Sequence, residues 1–172
     1  MELVQAARAG DLDSFGKLCE GYYAPLVAVA YSVLRDHQLA EDAAQEAFAR
    51  GLVSLGRLKE PGKFAPWLAQ ICRNAAADMA RARRPQVDVE DLAPTPYRGT
   101  DEFVGQIVRQ AVDRLPASMK EVVVLRYRSN CSYEQISAVL GLSKTAINGR
   151  LTRAKRKLAR YLRRQGVLED MP

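Results

Sequence analysis

Apolar residues return every three or four positions through almost the whole chain, and no stretch alternates apolar and polar long enough to suggest a strand. Asp11 or Asp13 can cap a first helix from about Ser14 to Leu34, with Phe15, Leu18, Tyr22, Leu26, Val29 and Val33 on its buried side and Pro25 as a kink point. Leu39 to Leu52 forms a second, in which Leu39, Ala43, Ala47 and Leu52 line one face while Glu41, Asp42, Gln45 and Glu46 gather toward the other. The Lys59-Glu-Pro-Gly-Lys63 stretch breaks the period and reads as a loop. A third helix follows from Pro66 to Arg84, its apolar side made of Trp67, Leu68, Ile71 and Met79. Phe103 to Leu115 is another, burying Phe103, Ile107, Val108, Ala111 and Leu115, and Ser118 with Glu121 offers a capping box ahead of Val122 to Tyr127.

The last periodic stretch is the most specific. Ser132 and Gln135 make a capping box at the start of a short helix with Ile136, Val139 and Leu140 on its apolar face, and Gly141 can take the left-handed conformation that ends it. Ser143 caps a second helix on which Ile147, Leu151, Ala154, Leu158 and Leu162 fall on one side. Two helices joined by a short turn containing Gly describe a helix-turn-helix. Between Gly141 and Gln165 stand Lys144, Arg150, Arg153, Lys155, Arg156, Lys157, Arg160, Arg163 and Arg164, with no acid among them, which suits a polyanion. Recognition helices read base edges mainly from their N-terminal half, here Lys144, Thr145, Asn148, Thr152 and Arg153. Asn pairs bidentately with adenine and Lys or Arg with guanine, while Arg150, Lys155, Arg156 and Lys157 suit phosphates.

Charge and composition narrow the picture further. A net charge of +6 over 172 residues fits an anionic partner. No apolar run reaches the roughly 18 residues a membrane span needs, and the N-terminus lacks the basic flank and apolar core of a signal peptide. Cys19, Cys72 and Cys131 are scattered and read as reduced structural thiols of a cytoplasmic protein. His37 has no metal-ligating constellation around it, and no phosphate-cradling Gly loop or paired nucleophile and base appears, so neither a cofactor nor enzymatic activity is expected.

From Pro85 to Glu102 three prolines interrupt any helix, and five acids (Asp88, Glu90, Asp91, Asp101, Glu102) accompany one Arg98. That composition reads as a flexible acidic linker. The fold expected is therefore all-α, with two small helical domains over residues 1–84 and 103–165, a linker over 85–102 and a tail over 166–172.

Two sets of motifs carry a family resemblance. Ala40-Glu-Asp-Ala-Ala-Gln-Glu-Ala-Phe-Ala-Arg50, Phe64-Ala-Pro-Trp-Leu-Ala-Gln-Ile-Cys-Arg-Asn74 and Asp78 resemble the second conserved region of bacterial sigma factors. Leu115-Pro116, Glu121-Val-Val-Val-Leu-Arg-Tyr127, Ser132-Tyr-Glu-Gln-Ile136, Leu140-Gly-Leu-Ser143 through Arg150, and Arg153-Ala-Lys-Arg-Lys-Leu158 resemble the fourth. With only these two regions and a short linker, the chain resembles the extracytoplasmic-function subfamily of the sigma-70 family.

The resemblance implies a protein that joins core RNA polymerase, directs it to promoter DNA and helps melt the start region. It would place Glu41, Asp42, Gln45 and Glu46 against the polymerase. Lys63, Phe64, Arg73, Asn74, Arg81 and Arg84 would serve the melted −10 element, with Lys63 and Phe64 exposed enough to reach a strand and Trp67 supporting from within. Lys144, Thr145, Asn148, Arg150, Thr152, Arg153 and Lys155 would serve the −35 duplex, and the linker would thread the channel of the nascent RNA. An anti-sigma protein is a further partner the family often uses. Asn148-Gly149 departs from the basic-residue-then-Ser pattern of many relatives, so base preference does not transfer. The rival readings are a plain helix-turn-helix regulator, which leaves the Glu41–Glu46 helix unexplained, and a sigma-like decoy, which would be expected to lose the basic face.

Overall fold

The computed structural model describes residues 1–83 and 100–168. Eight α-helices carry the fold among them: α1 (Glu2–Arg8), α2 (Leu12–Leu34), α3 (His37–Ser54), α4 (Phe64–Ala82), α5 (Thr100–Asp113), α6 (Ala117–Val123), α7 (Tyr133–Leu140) and α8 (Lys144–Arg164). The described residues contain no strand, so the all-helical expectation holds, with the helix-turn-helix in the second half. Most of the expected linker, and Arg84, lie outside the described residues. None of the described helices is long and apolar enough to cross a membrane.

The first half is a bundle of α2, α3 and α4, with α1 laid against α2. Asp11 is the cap of α2, accepting from the Asp13 N–H and from the Ser14 hydroxyl. Asp36 does the same for α3 through the Leu39 N–H, so this helix begins at His37, before the expected Leu39. α3 turns a face of Ala40, Ala43, Ala44, Ala47 and Gly51 inward. Small side chains let its backbone approach closely: a Cβ added to Gly51 would lie 2.7 Å from the Leu68 Cδ1 of α4. This packing, rather than helix propensity, sets the angle at which the acidic face of α3 meets solvent.

The second half packs α5, α6 and α7 on the long α8. Leu115, Val122, Leu125, Ile136, Ile147 and Leu151 fill its centre. This core joins that of the first half, because α7 lies across α4 and α2 meets α6 and α7.

Several expectations need correction. α1 is an additional helix, held by Val4 and Ala7 against the bundle. Val33 and Leu52 are exposed rather than buried, as are Phe103 and Val108, since α5 buries only the narrower stripe of Ile107 and Ala111 before Leu115. α5 also begins at Thr100, before the expected Phe103. The Ser118–Glu121 capping box does not form: Pro116 occupies the cap position of α6, and the Glu121 carboxylate is engaged elsewhere. After Val123 the chain does not continue as α-helix but widens into a π-helical turn, Val124–Arg128, closed by Asn130 in the left-handed region.

Candidate nucleic-acid interface

The helix-turn-helix is built as its capping residues dictate. The Ser132 hydroxyl accepts from the Gln135 backbone N–H at 3.1 Å, and the Gln135 side-chain Oε1 accepts from the Ser132 N–H at 2.8 Å. Gly141 turns the chain at φ +65°, and Ser143 accepts from the Ala146 N–H to open α8. Ile147, Leu151 and Ala154 are buried, which fixes the rotation of α8. At 100° per residue, Thr145, Gly149, Thr152, Arg153 and Arg156 then fall opposite that stripe, Asn148 and Lys155 on one shoulder and Arg150 on the other. Thr145, Asn148, Thr152, Arg153 and Lys155 are exposed, and Arg150 is half-buried at the edge. Thr145, Asn148, Thr152 and Arg153 thus form the outward face of α8, with Lys155 and Arg150 on its two opposite edges. Gly149 meets no crowding: a Cβ there would lie 3.8 Å from the Arg153 guanidinium, an ordinary contact. Lys144, at the rim, is paired with Glu134 of α7, and this bond holds the Glu134 carboxyl down at about 2.

The second expected surface is on α4. Lys63, Gln70, Asn74 and Arg81 share one side by helical spacing, and all four are exposed. Gln70 ties them together, donating to the Asn74 side-chain oxygen at 3.0 Å and accepting from Arg73 at 3.2 Å. Lys63 is paired with Glu60 at 2.9 Å, and Arg81 with Asp78. Phe64 does not belong here. It is 2% exposed, with its ring 5.7 Å from Tyr22 and 6.0 Å from half-buried Trp67, so its expected reach toward a strand is overturned and it serves as a core residue at the start of α4. The heptad-like spacing of Phe64, Leu68 and Ala75 was the signal for this. Arg73 leans to the flank of α4, where its Nε donates to Glu121 of α6 at 2.7 Å. Arg83, a basic residue outside the expected set, pairs with Asp36 at 3.1 Å.

On α3, Asp42 and Gln45 are exposed beside half-buried Glu41 and Glu46. Glu41 accepts from the Tyr23 hydroxyl at 3.4 Å and lies 3.7 Å from His37 Nδ1. Glu46 is bound at 2.7 Å by Arg50, which also reaches Asp78 at 3.5 Å. Next to this face is an open groove of about 570 Å³, to which α2 contributes Cys19, Glu20 and Tyr23 and α3 contributes Gln45 and Phe48. The α2 contributors carried no sequence signal, because only the tertiary packing sets them beside Gln45.

Comparison with known proteins agrees with this layout. The model of Sigma-70 region 2 matches residues 18–86, and that of Sigma-70 region 4 matches 105–158. The chain is 34% identical over 90% of its length to the "Probable RNA polymerase sigma factor RfaY" of Xanthomonas campestris pv. campestris, and spans 41% of that protein. It is 31% identical over 94% of its length to the ECF RNA polymerase sigma factor BldN of Streptomyces coelicolor, spanning 65% of it. Among solved structures, CnrH in complex with the cytosolic domain of CnrY is similar at a TM-score of 0.62 and 27% identity, covering 93% of this chain and 94% of that one.

Proposed function

The chain belongs to the extracytoplasmic-function subfamily of the sigma-70 family, and from that membership we propose that it joins core RNA polymerase, selects promoters through their −35 and −10 elements and promotes melting of the start region. The observation that carries this reading is the joint presence, in one chain, of an exposed basic recognition helix and an acid-faced helix seated on alanines. A regulator that only bound duplex DNA would need the first and not the second.

Each surface has a role that follows from its chemistry. Asp42 and Gln45, with Glu41 and Glu46 behind them, present oxygens to a basic segment of the polymerase. Thr145, Asn148, Thr152 and Arg153 face the floor of a major groove, while Lys144, Arg150 and Lys155 on the edges reach phosphates on either side. Lys63, Asn74 and Arg81 line the approach to a melted strand, and Arg73 flanks it. Extruding a base costs a few kcal/mol, which contacts made only to the open strand must offset. The amide of Asn74 and the Gln70 amide bound to it can hydrogen-bond a base edge once it is unpaired. The protein acts by binding alone, in the cytoplasm, with no cofactor. An anti-sigma protein is the further partner this reading admits.

The test is reconstituted transcription, with purified protein and bacterial core polymerase on a library of random promoter fragments. Selective initiation at shared sequence elements is the expected result. Duplex binding without initiation would replace the proposal with a plain regulator, and binding to neither DNA nor polymerase would replace it with a decoy.

A further inference from the structure

A groove of about 340 Å³ lies where the end of α2 meets α5, α6 and the π-helical turn. Val108 and Val112 of α5, Val123 of α6 and Val124 of the turn make its apolar wall. Tyr31, Arg35, Arg109, Tyr127 and Arg128 complete the lining. The volume falls at the small end of the roughly 300–1,000 Å³ that pockets for small ligands span.

Charge sets this groove apart. Three guanidiniums and no carboxylate line it, whereas the α2–α3 groove carries Glu20. Arg35 and Arg128 converge on one ring, that of Tyr31, at 5.3 and 3.8 Å from its centroid. Asp113, outside the lining, takes Arg35 at 2.8 Å and shares itself with Lys120 at 3.4 Å. Arg109 and Arg128 have no carboxylate partner among the described residues. Cations held this close repel one another, and an anion seated among them relieves that repulsion. The guanidinium fork is also the side chain best matched to phosphate, because it can grip two oxygens at once.

The other part of the lining asks for something flat. The Tyr127 side of the groove is open, with that residue 53% exposed and the Lys155 ammonium 5.7 Å from its ring. An exposed ring beside cations is a platform on which a nucleobase stacks. Bare phosphate would leave the valines and Tyr127 in water, and an uncharged aromatic would leave the guanidiniums unmatched. A nucleotide satisfies both ends. The volume suits a single nucleotide rather than a strand, and with Arg35 engaged by Asp113, Arg109 and Arg128 match the charge of a diphosphate.

We propose that this groove binds a free nucleoside diphosphate, its phosphates held by Arg109 and Arg128 with Arg35 beside them, and its base against Tyr127 and the valines. None of the lining residues belongs to the surfaces assigned to DNA or polymerase, so the site goes beyond the sigma-factor reading and does not rest on it.

The test is titration of the full chain into ADP carrying a fluorescent N-methylanthraniloyl group on its ribose, read by anisotropy and by competition. Binding should saturate at one site per chain. Unlabelled ADP should displace the probe, AMP about tenfold less well, and adenosine and inorganic pyrophosphate less well again. R109A and Y127A should each weaken the probe about tenfold with circular dichroism unchanged, as both side chains are exposed. Methyl resonances of the wild type report without any substitution: ADP should shift Val108, Val112, Val123 and Val124. Lack of saturation, or variants that bind as wild type does, would overturn the site. Pyrophosphate competing as well as ADP would overturn the seat for the base, and adenosine doing so would overturn the role of the arginines. Shifts centred on Ile147 and Leu151 would place the nucleotide on the DNA face instead. A twelve-nucleotide strand displacing the probe better than ADP would make the groove a strand site. Loss of initiation in the transcription assay, with ADP binding intact, would count against the sigma-factor reading alone.

Discussion

Phe64 and Glu134 show how far a single side chain's environment decides its role. Phe64 sits next to an exposed lysine in a loop-like stretch, yet it is enclosed by Tyr22 and Trp67. Phe64→Ala should therefore cost about 3–5 kcal/mol of stability, the range for emptying a buried phenylalanine site, and lower the thermal midpoint by circular dichroism. A residue that only met DNA would leave the midpoint unchanged. Glu134 is the opposite case, a solvent-facing carboxylate whose bond to Lys144 holds it at about 2 against an ordinary 4.5. Because the folded value is the lower one, the pairing contributes in full above pH 4.5 and is lost as pH falls toward 2. A carbon-13 titration of the Glu134 carboxyl should place its midpoint well below 4.5, and Lys144→Ala should return it upward. A midpoint near 4.5 in the wild type would mean that Lys144 is free to reach DNA without breaking a bond.

Helices were legible where their ends carry chemistry. Asp11, Ser132, Gln135, Gly141 and Ser143 act as caps or turns, and the recognition helix follows from them almost residue by residue. Legibility failed where an end is set by packing. α1 has no side-chain cap and is held only through Val4 and Ala7, and the π-helical turn hides in Val124-Leu-Arg-Tyr-Arg128, whose periodicity reads as ordinary helix. Exposed Phe103 and Val108 show the other limit, since periodicity counts apolar positions and does not say how wide a stripe the neighbour covers. Gly149 tests the recognition helix as an element. With ordinary contact distance around it and a helical backbone, Gly149→Ala should stabilise the fold by about 1 kcal/mol, the propensity difference between the two residues. If duplex affinity stays level while the thermal midpoint rises, the glycine only weakens the helix. If affinity falls, the DNA backbone approaches the site that Gly149 leaves open.

At the scale of the whole molecule, the two-region layout could be read from motifs, but the way the halves close could not. Arg73 and Glu121 are each unremarkable in their local stretch, and no periodic pattern links positions 48 residues apart. The same holds for Arg35 with Asp113, where the partner is set by how α5 crosses the end of α2. Closure also has a consequence for cooperativity. Buried residues of α2 and α4 and those of α6, α7 and α8 belong to one continuous core, so the halves should unfold together. Trp67, the single tryptophan, lies at the start of α4 in the first half, whereas far-ultraviolet circular dichroism sums over all the helices. In urea the two signals should give one midpoint for the wild type. In E121R, with the junction weakened, the curves should separate, tryptophan fluorescence following one half while the dichroism spreads into two steps. Separate midpoints already present in the wild type would show that the shared core adds little coupling between the halves.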